Sequence, residues 1–217
     1  AAARQAADEF ASYVETLMLQ RKDSPGDDLI SQLAAVEDGG DRLSAQELIA
    51  TCVLLLNAGH EASVNGLGNG LVAAMERPDQ LELLSSDPAS ISPTAIDEFL
   101  RFDSPLHLFE RTATEDTVIG DVTVKQGQKI AALLGSANRD ETVFDSPETM
   151  DLRRTPNPHI GFGAGIHFCI GAPLARMEMS VALPTLMSRF PSLQLAGEPV
   201  SRGTFVLRGW QSIPVTA

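Results

Sequence analysis

Apolar residues recur at helical spacing at the start of the chain. Phe10, Val14, Leu17 and Met18 sit among polar positions and predict a helix over residues 1–22, ended by Ser24-Pro25-Gly26. Leu29, Leu33 and Val36 share one side of a second short helix over 28–36, and residues 37–41 read as a solvated turn. Ser44 and Glu47, three apart ahead of an apolar run, form a capping-box pair. They open the longest helix, which runs to about Met75 and stops before Pro78. Residues 78–85 make a short helix, and Ser92-Pro93 supplies the N-cap and first position of another. From Pro105 the period changes to two. Residues 107–112, 117–124 and 129–134 read as strands, with Gly120-Asp121 as a tight turn. Helical spacing returns over 172–189, and the tail over 204–210 is strand-like. The pattern predicts a mainly α chain with small β-sheets, an α+β fold.

Composition narrows the function classes. The chain has 217 residues, 43% of them hydrophobic and 21% charged, enough for a globular core. A formal charge of −13 argues against a nucleic-acid partner and against an anionic membrane surface. Its two cysteines, Cys52 and Cys169, make no disulfide framework and suit a reducing cytoplasm. The most apolar run, Cys52 to Leu56, is far too short to span a bilayer. The opening AAARQAADEF lacks an initiator Met, shows no basic-then-apolar leader and begins inside a helix-like pattern. The expectation is a fragment or a processed chain.

Three places carry candidate chemistry. In the stretch from His159 to Glu178, Gly161, Gly163, Gly165 and Gly171 surround Cys169 just before a helix starts. Glycines let the backbone turn sharply and let a bulky planar group approach. A thiolate there would face the positive end of the helix dipole. In the long helix, Ala58-Gly59-His60-Glu61-Ala62-Ser63 interrupts an apolar run. Gly59 costs about 1 kcal/mol relative to Ala, which suggests either a local widening or kink beside a ligand or a close helix–helix contact. Glu98 and Arg101 are three apart and share a helix face, as a surface ion pair or as a buried one.

Phe162-x-x-Gly165-x-His167-x-Cys169-x-Gly171, followed by Ala-Pro-Leu-Ala-Arg, resembles the heme-ligand loop of the cytochrome P450 family, the heme-thiolate monooxygenases of soluble bacterial type. The resemblance spans the whole chain but only the C-terminal half of the family. It implies a single-domain fragment over 1–217, with the N-terminal half absent. It implies heme b (iron protoporphyrin IX) as cofactor and Cys169 as the metal ligand. Phe162, Gly163 and Gly171 would line the cofactor, and His167 and Arg111 would meet its propionates. Read from its strand alone, Arg111 is equally a surface charge. Ala58 and Gly59 look like the oxygen-binding groove, with Glu61 as proton relay or else an exposed carboxylate. His107, Leu108 and Phe109 would border the substrate, as would Val206 and Leu207 in the turn of a final hairpin. Glu98 and Arg101 resemble the family's buried Glu-x-x-Arg, which tethers the segment before the heme loop. Its third partner is open between Arg153 and Arg154, because Thr149 stands where an arginine is commonest.

One departure matters. The family places threonine directly after the acid, where its hydroxyl helps deliver protons to oxygen. This chain has Ala62, then Ser63, about a hundred degrees further round the helix. The implied reaction inserts one atom of O2 into a small apolar organic substrate. A ferredoxin or flavin reductase supplies the electrons, since no flavin or nicotinamide fingerprint is present. Arg176 either faces that donor or is a solvated helix charge. Two rival readings remain: a truncated heme-binding or interaction module without oxygenase turnover, and an apo-fragment. Cys52 reads as a buried apolar residue, and His60 and His159 carry no assigned role.

Overall fold

Helices α1 (Ala2–Asp23) and α2 (Leu29–Ala35) open the computed structural model, which describes residues 2–35, 37–38 and 41–217. Asp28 starts α2: its Oδ1 accepts from the Ser31 N–H at 3.0 Å, and its Oδ2 pairs with Arg21. Where a plain turn was expected, β1 (Glu37–Asp38) pairs antiparallel with β2 (Asp41–Arg42). Asp38 faces Asp41, so two residues connect the strands, the link length hairpins favour. Val36, Gly39 and Gly40 lie outside the described residues.

Helix α3 (Ala45–Met75) starts as its capping box dictates. The Ser44 N–H donates to Glu47 Oε2 at 2.8 Å, and the Glu47 N–H donates to Ser44 Oγ at 3.3 Å. The helix remains α throughout, with no wider turn at Gly59. The chain forms two compact units, residues 1–61 and 62–217, and α3 contributes to both. In the first, Val14 and Leu48 are buried, whereas residues 54–60 are all exposed. Cys52 is only partly buried, and that burial raises its thiol pKa.

In the second unit α4 (Pro78–Ser86) leads into α5 (Pro88–Phe102). The expected start of α5 at Ser92-Pro93 is one turn late. Asp87-Pro88 provides an earlier pair, with Asp87 Oδ1 accepting from the Ser90 N–H at 3.2 Å. Ser92 caps nothing, and its buried hydroxyl has no partner. Strand β3 (Leu108–Thr112) precedes the hairpin of β4 (Thr117–Ile119) and β5 (Val122–Val124), which turns at Gly120 with φ of 57°. Strand β6 (Lys129–Leu133) then returns antiparallel to β3. A one-turn helix, α6 (Leu134–Ala137), follows, and the longer α7 (Ala172–Arg189) matches its predicted bounds. Two pairs of short strands close the chain: β7 (Gln194–Leu195) with β10 (Val215–Thr216), and β8 (Val200–Ser201) with β9 (Trp210–Ser212). The strand expected over 204–210 does not form. Gly203 adopts a φ of 69°, and the Thr204 hydroxyl closes a turn onto the Leu207 carbonyl at 2.5 Å. Leu207 keeps one bridge, to Leu106.

The core of this unit gathers on α5, where Ala95 and Phe99 are fully buried and join Leu183 and Met187 of α7. Helix α7 is also apolar on its other side, where Leu174, Met177 and Val181 are exposed. No helix among the described residues is long and apolar enough to cross a membrane. Close packing of α3 depends on Gly70, where a Cβ would fall 1.9 Å from Phe99 Cγ. At Gly59 a Cβ would meet nothing within 4 Å. Gly70→Ala should therefore cost about 1–3 kcal/mol through overpacking, whereas Gly59→Ala should gain up to about 1 kcal/mol of helix propensity. Urea unfolding midpoints of the two variants should move in opposite directions.

Candidate functional site

Glu98 and Arg101 are both fully shielded from solvent. Their pair is bidentate, with Arg101 Nε and Nη2 donating to Glu98 at 2.7 and 2.8 Å. The remaining Arg101 donors go to the carbonyls of Asn138, Pro147 and Thr149 at 2.8–3.1 Å. Glu98 also accepts from the Asp151 N–H at 2.9 Å and from Asn157 Nδ2 at 3.1 Å. The third partner is Arg154, whose Nε lies 3.2 Å from Glu98 Oε2. Arg153 contributes only its backbone N–H, to Asp151. The position that lacks the commonest arginine still takes part, since the Thr149 carbonyl accepts from both Arg101 and Arg154. A buried charge is tolerated only when fully hydrogen-bonded, and here the partners are the backbone of the segment leading to Cys169.

Asn138 continues this support. Its side chain receives the Ile160 N–H at 2.8 Å and donates to the Ser104 hydroxyl at 2.8 Å. From Ile160 the loop turns twice, at Gly163 (φ 73°) and Gly165 (φ 66°), a backbone region that glycine enters without strain. The Gly163 N–H donates to the Ile160 carbonyl and the Cys169 N–H to the Phe162 carbonyl, at 2.8 and 2.9 Å. Cys169 is thus fixed three residues before α7, and its own carbonyl accepts the Ala172 N–H at 3.1 Å. A Cβ at Gly171 would lie 3.8 Å from the Cys169 sulfur, and Gly171 caps α7 with no side chain.

Large apolar side chains flank this half-buried thiol in the open. Ile166 is 97% exposed, Ile170 91% and Phe168 51%. A Cβ at Gly165 would meet nothing. His167 is exposed as well, in a short 3-10 turn. These features fit a large flat apolar group with one sulfur ligand. Behind the loop, Phe162 packs against the core. Its ring lies beside Phe168, His159 and the guanidinium of Arg176. Arg176 and His159 both contact Asp97, a cluster that patterning did not pick out. Burial pushes the Asp97 carboxyl up, but hydrogen bonds from His159 and Arg176 outweigh it and hold it below the ordinary value.

Strand β3 carries Leu108, Phe109 and Arg111. Arg111 is exposed, lies over the Phe109 ring at 5.2 Å and, among the described residues, donates only to the neighbouring Glu110 carbonyl. The His107 N–H donates to the Val206 carbonyl at 2.9 Å, and the His107 ring meets Phe205 edge-on at 5.8 Å. Two stretches a hundred residues apart, both expected at the substrate, therefore touch. The His107 imidazole also lines a polar cavity of about 470 Å³, with Nε2 3.9 Å from Asp103. On α3, Ala58 and Gly59 are exposed, while Glu61 and Ala62 are half-buried.

The family model for cytochrome P450 matches residues 92–203, about half the chain, and the chain belongs to that family. The polyketide biosynthesis cytochrome P450 PksS of Bacillus subtilis is 43% identical over 98% of the chain and 53% of its own length. The 6-deoxyerythronolide B hydroxylase of Saccharopolyspora erythraea is 42% identical over 97% and 53%, respectively. Among solved structures, CYP109E1 of Bacillus megaterium in complex with testosterone superimposes with a TM-score of 0.94 at 33% identity. That match covers 98% of this chain and 59% of the other. The chain spans about half the length of the curated relatives it matches. Arg154→Gln should lower stability by about 1–3 kcal/mol, because it strips a donor from a buried carboxylate. Arg153→Gln should stay within about 0.5 kcal/mol of the parent. Chemical denaturation of the two variants side by side checks the assignment.

Proposed function

We propose that this chain is the heme-binding, C-terminal part of a heme-thiolate monooxygenase. The observation that carries the reading is Cys169, held on a twice-turned loop at the foot of α7 with Ile166, Phe168 and Ile170 bare on either side. When bound there, heme b supplies reductive activation of O2 and insertion of one oxygen atom into an apolar organic substrate. Cys169 would hold the iron through its sulfur. Phe162, Gly163 and Gly171 would shape the loop that receives the flat group, and Arg111 and His167 would donate to its carboxylates. Leu108, Phe109, Val206 and Leu207 border the substrate, with His107 holding the Val206 backbone. Ala58 and Gly59 leave room for oxygen on α3, and Glu61 holds and passes protons at its carboxylate. Ala62 has no hydroxyl to join it, so substrate or ordered water completes that path. Relatives named for polyketide biosynthesis and for hydroxylation support an organic substrate. Electrons come from a ferredoxin or a flavin reductase.

The carbon monoxide difference spectrum of the reduced protein tests this reading. A cysteinate gives a strongly red-shifted Soret band, and Cys169→Ala should abolish it. An unchanged spectrum refutes the ligand assignment, and a band without any turnover favours a heme-binding module. Ala62→Thr should raise the ratio of oxygenated product to released peroxide. A ratio that stays fixed across several substrates would show that proton delivery is not limited at Ala62.

A further inference from the structure

One carboxylate oxygen holds both polar neighbours of the Phe162 ring. Asp97 Oδ1, on α5, lies 2.9 Å from Arg176 Nε on α7 and 3.2 Å from His159 Nε2 on the loop. The Arg176 guanidinium carbon sits 4.6 Å from the Phe162 ring centroid, within cation–π range. The His159 ring stands 5.9 Å from the same centroid. His159 accepts the Gly161 N–H through Nδ1 at 3.1 Å, which leaves its own proton on Nε2, facing Asp97. Phe162 in turn accepts the Cys169 amide. His159 is 2% exposed, so its orientation is set by these partners and not by solvent. Helix α5, the loop and α7 all meet at Asp97.

We propose that Asp97 is a positioning residue for the Cys169 loop: it neutralises the guanidinium stacked on Phe162 and, through His159, fixes the turn at Gly161. The inference rests on the heme-thiolate reading above. Groups around a metal ligand, and not the ligand alone, set the electron density and reduction potential of the site. Asp97 and Arg176 carry opposite charges beside one ring, so removing either alone should shift the potential in opposite directions. A loop that merely loosens would shift it the same way for both.

The test measures the midpoint potential of the heme-loaded protein by spectroelectrochemistry in the parent, Asp97→Asn, Arg176→Gln and the double variant. Asp97→Asn, which loses a negative charge, should move the potential positive. Arg176→Gln should move it negative. The double variant should return near the parent value, as should the charge-conserving Arg176→Lys. Shifts of equal sign in the two single variants, or no shift in either while the thiolate band persists, overturn the proposal. A parent without a thiolate band defeats the heme-thiolate reading instead. In that case the ¹⁵N shifts of His159 in the heme-free chain decide the Asp97 geometry. A proton on Nε2 supports it, and a proton on Nδ1 overturns it.

Discussion

The bidentate pair of Glu98 and Arg101 is the constraint on which the heme loop depends. Neither residue reaches water, so each needs every partner it can get. Those partners are mostly the backbone of residues 138–151, a stretch with little regular structure of its own. An irregular segment normally runs over the surface because its amides and carbonyls need water. Here a buried guanidinium and carboxylate take the place of that water. The segment is thereby held against α5, and Asn138 passes the support on to Ile160 at the start of the loop.

The loop shows the same economy of means. Two left-handed glycines reverse the chain, and two backbone hydrogen bonds fix where Cys169 falls relative to α7. Side chains from elsewhere hold its start, Asn138 at Ile160 and Asp97 at His159. His167 and Phe168 stand exposed and Cys169 is half-buried, whereas Phe162 packs against the core. A pre-set backbone of this kind lowers the ordering cost of binding a large rigid group.

Much of this was legible in the sequence. Strong local signals were read correctly: the Ser44–Glu47 box, the strands β3 to β6 and the bounds of α7 all stand. Glu98 and Arg101 could be placed on one helix face, but their burial could not be seen, because it depends on residues some fifty positions away. Arg153 and Arg154 are indistinguishable by type, and only the path of the chain decides between them. The late start assigned to α5 came from two competing Ser/Asp-Pro pairs five residues apart, of which the earlier one wins. The tail failed for a different reason. Its β-rich composition over 204–207 is overridden by Gly203 and the Thr204 turn. The Asp97, His159 and Arg176 cluster left no periodic trace, since its members come from three separate elements.

Helix α7 has a practical consequence for handling the protein. Its inward side is packed, yet Leu174, Met177 and Val181 put a second greasy stripe into water. Polar residues such as Glu178 lie among them, so the stripe is a narrow one. An exposed apolar stripe of this kind marks a surface prone to interaction. That stripe lies on the same helix that starts three residues after Cys169.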